Sequence, residues 1–266
     1  MNLLFLCSLL VSIALGVGRS LDLALFTDAG TGLVIAGSVW LRYIGLAVAS
    51  TVAVLVGSST GARPDALCTR RAPLGVTAYL AAIFFALAGI ARLALGLTGV
   101  PDVIRAVLEI ACAVWMAALG RGWLRRGHWH RPTRSMIPAV AGGALFYWCV
   151  LARFMTNSAS WHRVSPTAEI WQTLAALMFL TALMRALYLP GTSNGKGLCE
   201  GGLAAFALCL CWQLPEVVHG AATAGIADTL FGVGLCCVGA LGALCAALSV
   251  SAEPRHSADF EEGTGN

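Results

Sequence analysis

Arg92, Arg105 and Glu109 form the most suggestive group of chemically able side chains in this chain. They fall within very apolar stretches, where an isolated charge at mid-bilayer costs about 2.5–3.5 kcal/mol on insertion scales. Residues of this kind must find partners. Val100-Pro101-Asp102 reads as a tight turn, with Arg92 eight residues before Val100 and Glu109 eight residues after Pro101. At a helical rise of 1.5 Å per residue, both lie about 12 Å below that turn. Antiparallel neighbours joined by a short turn bring equal depths together, so Arg92 can meet Glu109. Arg105 stands four residues before Glu109 on the same helical face. Asp102 is placed to cap the second helix and to meet Arg105. Such a cluster has two uses. It can fix one helix against another, or it can form the wall of a polar cavity for an anionic or zwitterionic solute, with Glu109 as the proton- or cation-coupling carboxylate.

Arg153, Glu169, Gln172, Glu216, His219 and Asp228 fall toward the same side of the apolar spans. Together with the first group, they give a candidate cavity of Arg92, Arg105, Glu109, Arg153, Glu216 and His219. Glu216-x-x-His219 puts a carboxylate and an imidazole on one face if the segment after Pro215 is helical. With Asp228 these residues would suit an intramembrane metal-dependent enzyme, although a solvated loop pair is the plainer account of the spacing. Other chemistries find no support. No lysine lies in an expected span to form a retinal Schiff base, and His128, His130, His162, His219 and His256 fall in loops or at ends, away from axial haem positions. The segment GTSNGKG at 191–197 lacks the spacing of a phosphate-binding loop. Neither H-E-x-x-H nor G-x-S-x-G occurs. No catalytic set, metal or cofactor is indicated. The ten cysteines fall mostly in apolar spans, where cysteine acts as a small hydrophobe. Cys209-x-Cys211 and Cys236-Cys237 lack the flanking ligands of a zinc site.

The elements that must position these residues follow from composition. Of the 266 residues 58% are hydrophobic and 11% charged, with a mean hydropathy of +0.80, which excludes an ordinary soluble domain. Eight apolar spans can be counted, at about 3–21, 39–56, 74–97, 102–119, 137–154, 168–187, 203–214 and 226–250. The expected fold is all-α: a polytopic transmembrane bundle of about eight helices with short loops, a single domain over 1–250, and a polar cytoplasmic tail over 251–266 that reads as disordered. The seventh span is short, stopped near Pro215, unless it starts earlier or passes that proline with a kink. The first span lacks a basic leader and an A-x-A-like site before Arg19 and reads as a retained helix.

Arginine placement sets the orientation. Arg63, Arg70 and Arg71 follow the second span, Arg121, Arg125, Arg126, Arg131 and Arg134 the fourth, Lys196 the sixth and Arg255 the eighth. The alternate segments are poor in basic residues. Positive residues stay in the cytoplasm, so both termini are expected inside and the plasma membrane is the expected location. The net charge of +4 is accounted for by these loops facing an anionic leaflet and implies no nucleic acid. Around Trp123 and Trp129, with His128 and His130, the basic stretch reads as an interfacial anchor, with anionic lipid at Arg121, Arg125, Arg126 and Arg131. Arg19, Arg92, Arg153 and Gln213 recur near the outer ends of the odd spans at offsets of 73, 61 and 60 residues. Four repeated hairpins would give this pattern, and so would the tendency of arginine to mark span ends.

Asp28-Ala29-Gly30-Thr31-Gly32-Leu33, between the first two spans and ahead of paired hydrophobic hairpins, resembles a pattern of uncharacterised bacterial multi-pass membrane proteins. The resemblance covers the organisation and one loop motif, and it implies a bacterial plasma membrane and no particular activity. Three readings stand at this point. The first is a non-enzymatic membrane protein, a subunit or scaffold, whose Arg/Glu pairs are structural. The second is a small-solute permease with an outward-facing Arg/Glu cavity, and the third is the metal-dependent enzyme. Homo- or hetero-oligomerisation stays open in each.

Overall fold

The computed structural model describes residues 3–28, 34–60, 67, 69–95, 99–125, 136–155, 164–189, 195–221 and 224–251. Among the described residues, eight crossings are built from nine α-helices: α1 (Leu3–Leu25), α2 (Val39–Ser59), α3 (Ala72–Leu95), α4 (Val100–Leu124), α5 (Ile137–Met155), α6 (Ser165–Tyr188), α7 (Lys196–Ala205), α8 (Gln213–Gly220) and α9 (Ile226–Ser251). All eight crossings are long and apolar enough to span a membrane. The protein is a polytopic helical bundle, and among the described residues β-structure is limited to one bridge between Thr27 and Val34.

The seventh crossing follows the longer of its two expected courses, starting before 203 and continuing past Pro215. It runs from Lys196 to Gly220 rather than from 203 to 214, with α7 and α8 joined by a π-helical segment, Phe206–Trp212. Lys196 is thus the first residue of a helix rather than part of a loop. Pro215 does not stop it. Proline lacks the N–H that would return to the carbonyl four residues back, here Cys211, and its ring crowds that carbonyl in an α-turn. A π segment just ahead of it is one of the known ways a helix absorbs such a defect. α1 takes advantage of the site: a Cβ on Gly16 would lie 2.6 Å from the Cys211 oxygen, so only glycine lets the helices approach this closely.

α4 also starts earlier than expected, at Val100, with Gly99 as its N-cap and Pro101 in the first turn. Asp102 is therefore a first-turn acid that favours the positive helix end rather than the cap itself. Trp123 belongs to the last turn of α4 and is fully buried, its Nε1 donating to the Leu67 carbonyl at 2.9 Å. The ring therefore faces protein rather than lipid, which corrects the expectation that it anchors in the headgroups. The helix outlasts the apolar run, and the indole ties α4 to the connection between α2 and α3. The Asp28–Leu33 motif beyond Asp28, residues 126–135 with their arginines and histidines, the connection with Trp161, and the C-terminal tail beyond Ser251 lie outside the described residues.

α3 and α4 pack as an antiparallel pair. α5 lies on α4, α6 on α5, α7 on α6, and α9 touches both α7 and α3. This closes a circuit, with α1 and α2 packed outside it against the seventh crossing. Small residues on α9 make the closure possible. A Cβ on Gly242 would meet the Gly202 oxygen at 2.7 Å, and one on Gly202 would meet the Gly242 oxygen at 2.6 Å, the close backbone approach that membrane helices use where apolar burial gives no net drive. Inside the circuit, Phe85 packs edge-on against Phe146 at 5.9 Å between centroids and tilted against Phe231 at 5.7 Å. Leu10, Val17, Leu41 and Leu55 of α1 and α2 stay exposed, as a lipid-facing surface requires.

Candidate functional site

Most charged residues of the spans collect at one end of the bundle, where α1, α3 and α5 end and α2, α4, α6 and α9 begin, whereas Arg121, Arg185, Lys196 and Glu200 lie at the other. On the α3–α4–α9 side, Glu109 is completely buried and accepts from Arg92 Nη2 at 3.2 Å and from Arg105 Nε at 3.1 Å. Arg92 and Glu109, equally far from the turn along the chain, do meet across the α3–α4 pair. The sequence reading missed a fourth member. Asp228 in the first turn of α9 accepts from Arg92 at 2.9 Å and pairs with Arg105 at 3.3 Å. One carboxylate therefore seals the pair of arginines from within, and a second covers them from the open side.

A second cluster forms around α1, α2 and α8. Arg19 binds Asp22 at 2.6 Å and Glu216 at 3.0 Å, lies over the Trp212 ring at 4.7 Å, and is 5% exposed. Glu216 also accepts from Trp212 Nε1 at 3.0 Å, and Arg42 pairs with Asp22. His219 does share the helix face of Glu216, but its Nε2 meets the Ser20 hydroxyl at 3.2 Å. A third, looser pair joins Arg153 to Glu169 at 3.4 Å.

Between these clusters opens a cavity of about 860 Å³. Of the six candidate residues, Arg105, Arg153, Glu216 and His219 lie on its wall, whereas Arg92 and Glu109 stand one layer behind. The wall carries three arginines, Arg19, Arg105 and Arg153, against five carboxylates, Asp28, Asp102, Glu169, Glu216 and Asp228. Phe231 also lines the cavity, and its contact with the Phe85–Phe146 pair supplies the apolar closure beneath. Among the described residues, five polar atoms of wall residues are buried without a hydrogen-bond partner: Arg19 Nε, Thr27 Oγ1, Trp148 Nε1, Gln172 Nε2 and Gln213 Oε1. The convergence required by the metal-enzyme reading does not occur. Glu216 and Asp228 are held by different arginines, and no group of three or more His, Cys, Asp or Glu that could hold a metal is found among the described residues.

A spacing signal could have found Asp228. Phe85, Phe146 and Phe206 each precede by seven residues the polar position held by Arg92, Arg153 and Gln213, and Glu109, Glu169 and Asp228 follow those positions by 17, 16 and 15 residues. In three successive out-and-back pairs the chain thus places an acid at a similar depth in the returning helix. Fourteen residues ahead of the polar position, Phe5, Ala78, Ala139 and Cys199 are all buried.

The chain matches no protein-family model, no curated protein and no solved structure.

Proposed function

We propose that the protein is a plasma-membrane permease that admits a small polar solute to this cavity from the outer face, with both termini in the cytoplasm. The observation that carries the reading is the cavity with its two incompletely covered acids: the Glu169 and Asp228 side chains are 53% and 56% exposed. A bundle end serving only to pair helices would bury such groups or dispense with them. In this reading Asp228 and Glu169, which the solute can reach, take the coupling role first given to Glu109. Arg92 and Glu109 become the anchor behind them. Arg121, Arg125, Arg126 and Arg131 rest on anionic headgroups of the inner leaflet, consistent with the asymmetry of basic residues.

The scaffold reading keeps one observation in its favour. Glu109 is dry and held by two arginines, as in a purely structural ion network. The two are separated by labelling Ala152→Cys, on the cavity wall, with a membrane-impermeant thiol reagent. The background is Cys149→Ser, because Cys149 lines the same cavity, and the protein is presented in sealed right-side-out vesicles. Rapid modification is expected. An unreactive thiol would leave the cavity closed to solutes and favour the scaffold.

A further inference from the structure

We infer that the cavity takes a small organic ammonium compound that also carries an oxygen acceptor, such as an amino alcohol or a zwitterion, with the ammonium beside Glu169 and Asp228 and the acceptor deeper, at Trp148 and Gln172. The inference rests on the permease reading and narrows its ligand. Of the anionic and zwitterionic solutes suggested by the arginines in the sequence, it keeps the zwitterion and drops the anion.

Charge is the first argument. Among the described residues, the wall holds two more carboxylates than arginines. The layer behind it, Arg42 and Arg92 against Asp22 and Glu109, is neutral. Two of the wall arginines are committed as well: Arg19 to Asp22 and Glu216, and Arg105 to Glu109 and Asp228. An anion would have to displace these carboxylates. A cation finds the exposed sides of Glu169 and Asp228 already turned to the open space.

The unpartnered atoms supply the second, independent argument. Gln172 is 1% exposed, yet its Nε2 has no acceptor, and neither has Trp148 Nε1. An indole N–H can only donate, so whatever completes it must bring an acceptor. A buried donor left unsatisfied is expensive, and each such group in a native structure calls for a partner. The amides of Gln172 and Gln213 can present either oxygen or nitrogen, which lets one frame serve a hydroxyl or a carboxylate. Trp148 stands five residues before Arg153 on α5, and Gln172 three after Glu169 on α6. On helices these spacings put the donors about 7.5 and 4.5 Å deeper than the Arg153–Glu169 pair. The cavity thus has an acidic upper tier and, behind its lower wall, two buried donors that a guest cationic at one end and an acceptor at the other would reach by turning the Trp148 and Gln172 side chains inward.

The test is the thermal unfolding of the full chain in nanodiscs against ethanolamine, glycine, tetramethylammonium and acetate at matched ionic strength. Ethanolamine and glycine should raise the melting temperature in a saturable way, tetramethylammonium less, and acetate not at all. Trp148→Phe and Glu169→Gln should each weaken the ethanolamine response at least tenfold in half-saturating concentration. Where one variant does not fold, the other carries the test. A response to acetate alone, equal responses to all four salts, or an ethanolamine response unchanged in the variants would overturn the inference. A cavity that labels with the thiol reagent but ignores ammonium compounds refutes this ligand and leaves the permease reading standing, whereas an unlabelled cavity refutes both.

Discussion

Glu109 and Asp228 share the same two arginines, and this sharing makes a quantitative prediction. Removing one partner of a buried ion pair costs about 3–5 kcal/mol, because the remaining charge is left uncompensated. In Glu109→Ala the arginines are not abandoned, since Arg92 keeps Asp228 at 2.9 Å and Arg105 keeps it at 3.3 Å. The loss should therefore fall at the lower end, about 3 kcal/mol. Asp228→Ala alone removes a carboxylate that is 56% exposed while Glu109 still holds both arginines, so about 1 kcal/mol is expected, in the range of solvated pairs. Together the two changes strand both arginines. The double variant should lose more than the sum, by about 1–3 kcal/mol of coupling. Adding Arg92→Ala to Glu109→Ala should conversely recover part of the loss. Reversible chemical unfolding in mixed micelles, run as a double-mutant cycle, measures each quantity. Strict additivity of the Glu109 and Asp228 losses would show that the arginines are not shared and would refute the reasoning.

Two further outcomes follow from packing. Gly202→Ala should destabilise by about 1–3 kcal/mol, the usual cost of overpacking, because the new Cβ would lie 2.6 Å from the Gly242 oxygen and backbone cannot step aside as a side chain can; a neutral result in the same unfolding assay would contradict the α7–α9 contact. Trp123→Phe should cost about 1 kcal/mol through the lost bond to the Leu67 carbonyl without altering affinity for anionic vesicles; a selective loss of vesicle affinity would return Trp123 to the interface.

What could be read from the sequence and what could not divide along a physical line. The crossings were legible because a bilayer demands about twenty apolar residues whatever the neighbours do. Arg92 and Glu109 were legible because the short turn at Val100–Asp102 converts equal sequence distance into equal depth. Asp228 and Glu216 find arginines 136 and 197 positions away along the chain. The closure of α9 onto α3 and the seating of α1 on the seventh crossing depend on shape, and no local spacing encodes them. Pro215 left two courses open because its stop signal assumes α-helical geometry, and Trp123 misled because an indole beside arginines looks the same whether it faces lipid or a loop carbonyl.

The π segment Phe206–Trp212 has a consequence for aim. A π turn accommodates one residue more than an α turn, and every side chain after it is rotated accordingly. Wound as α-helix with the same residues, the segment would swing Gln213–Gly220 around the helix axis by about 100°. Glu216 would leave Arg19 and Trp212, His219 would leave Ser20, and Gln213 would turn away from the cavity, although each residue kept its own helix. The extra residue works like a keyed shaft: it sets the angle at which one end of the crossing meets the other, and with it which side chains a solute encounters.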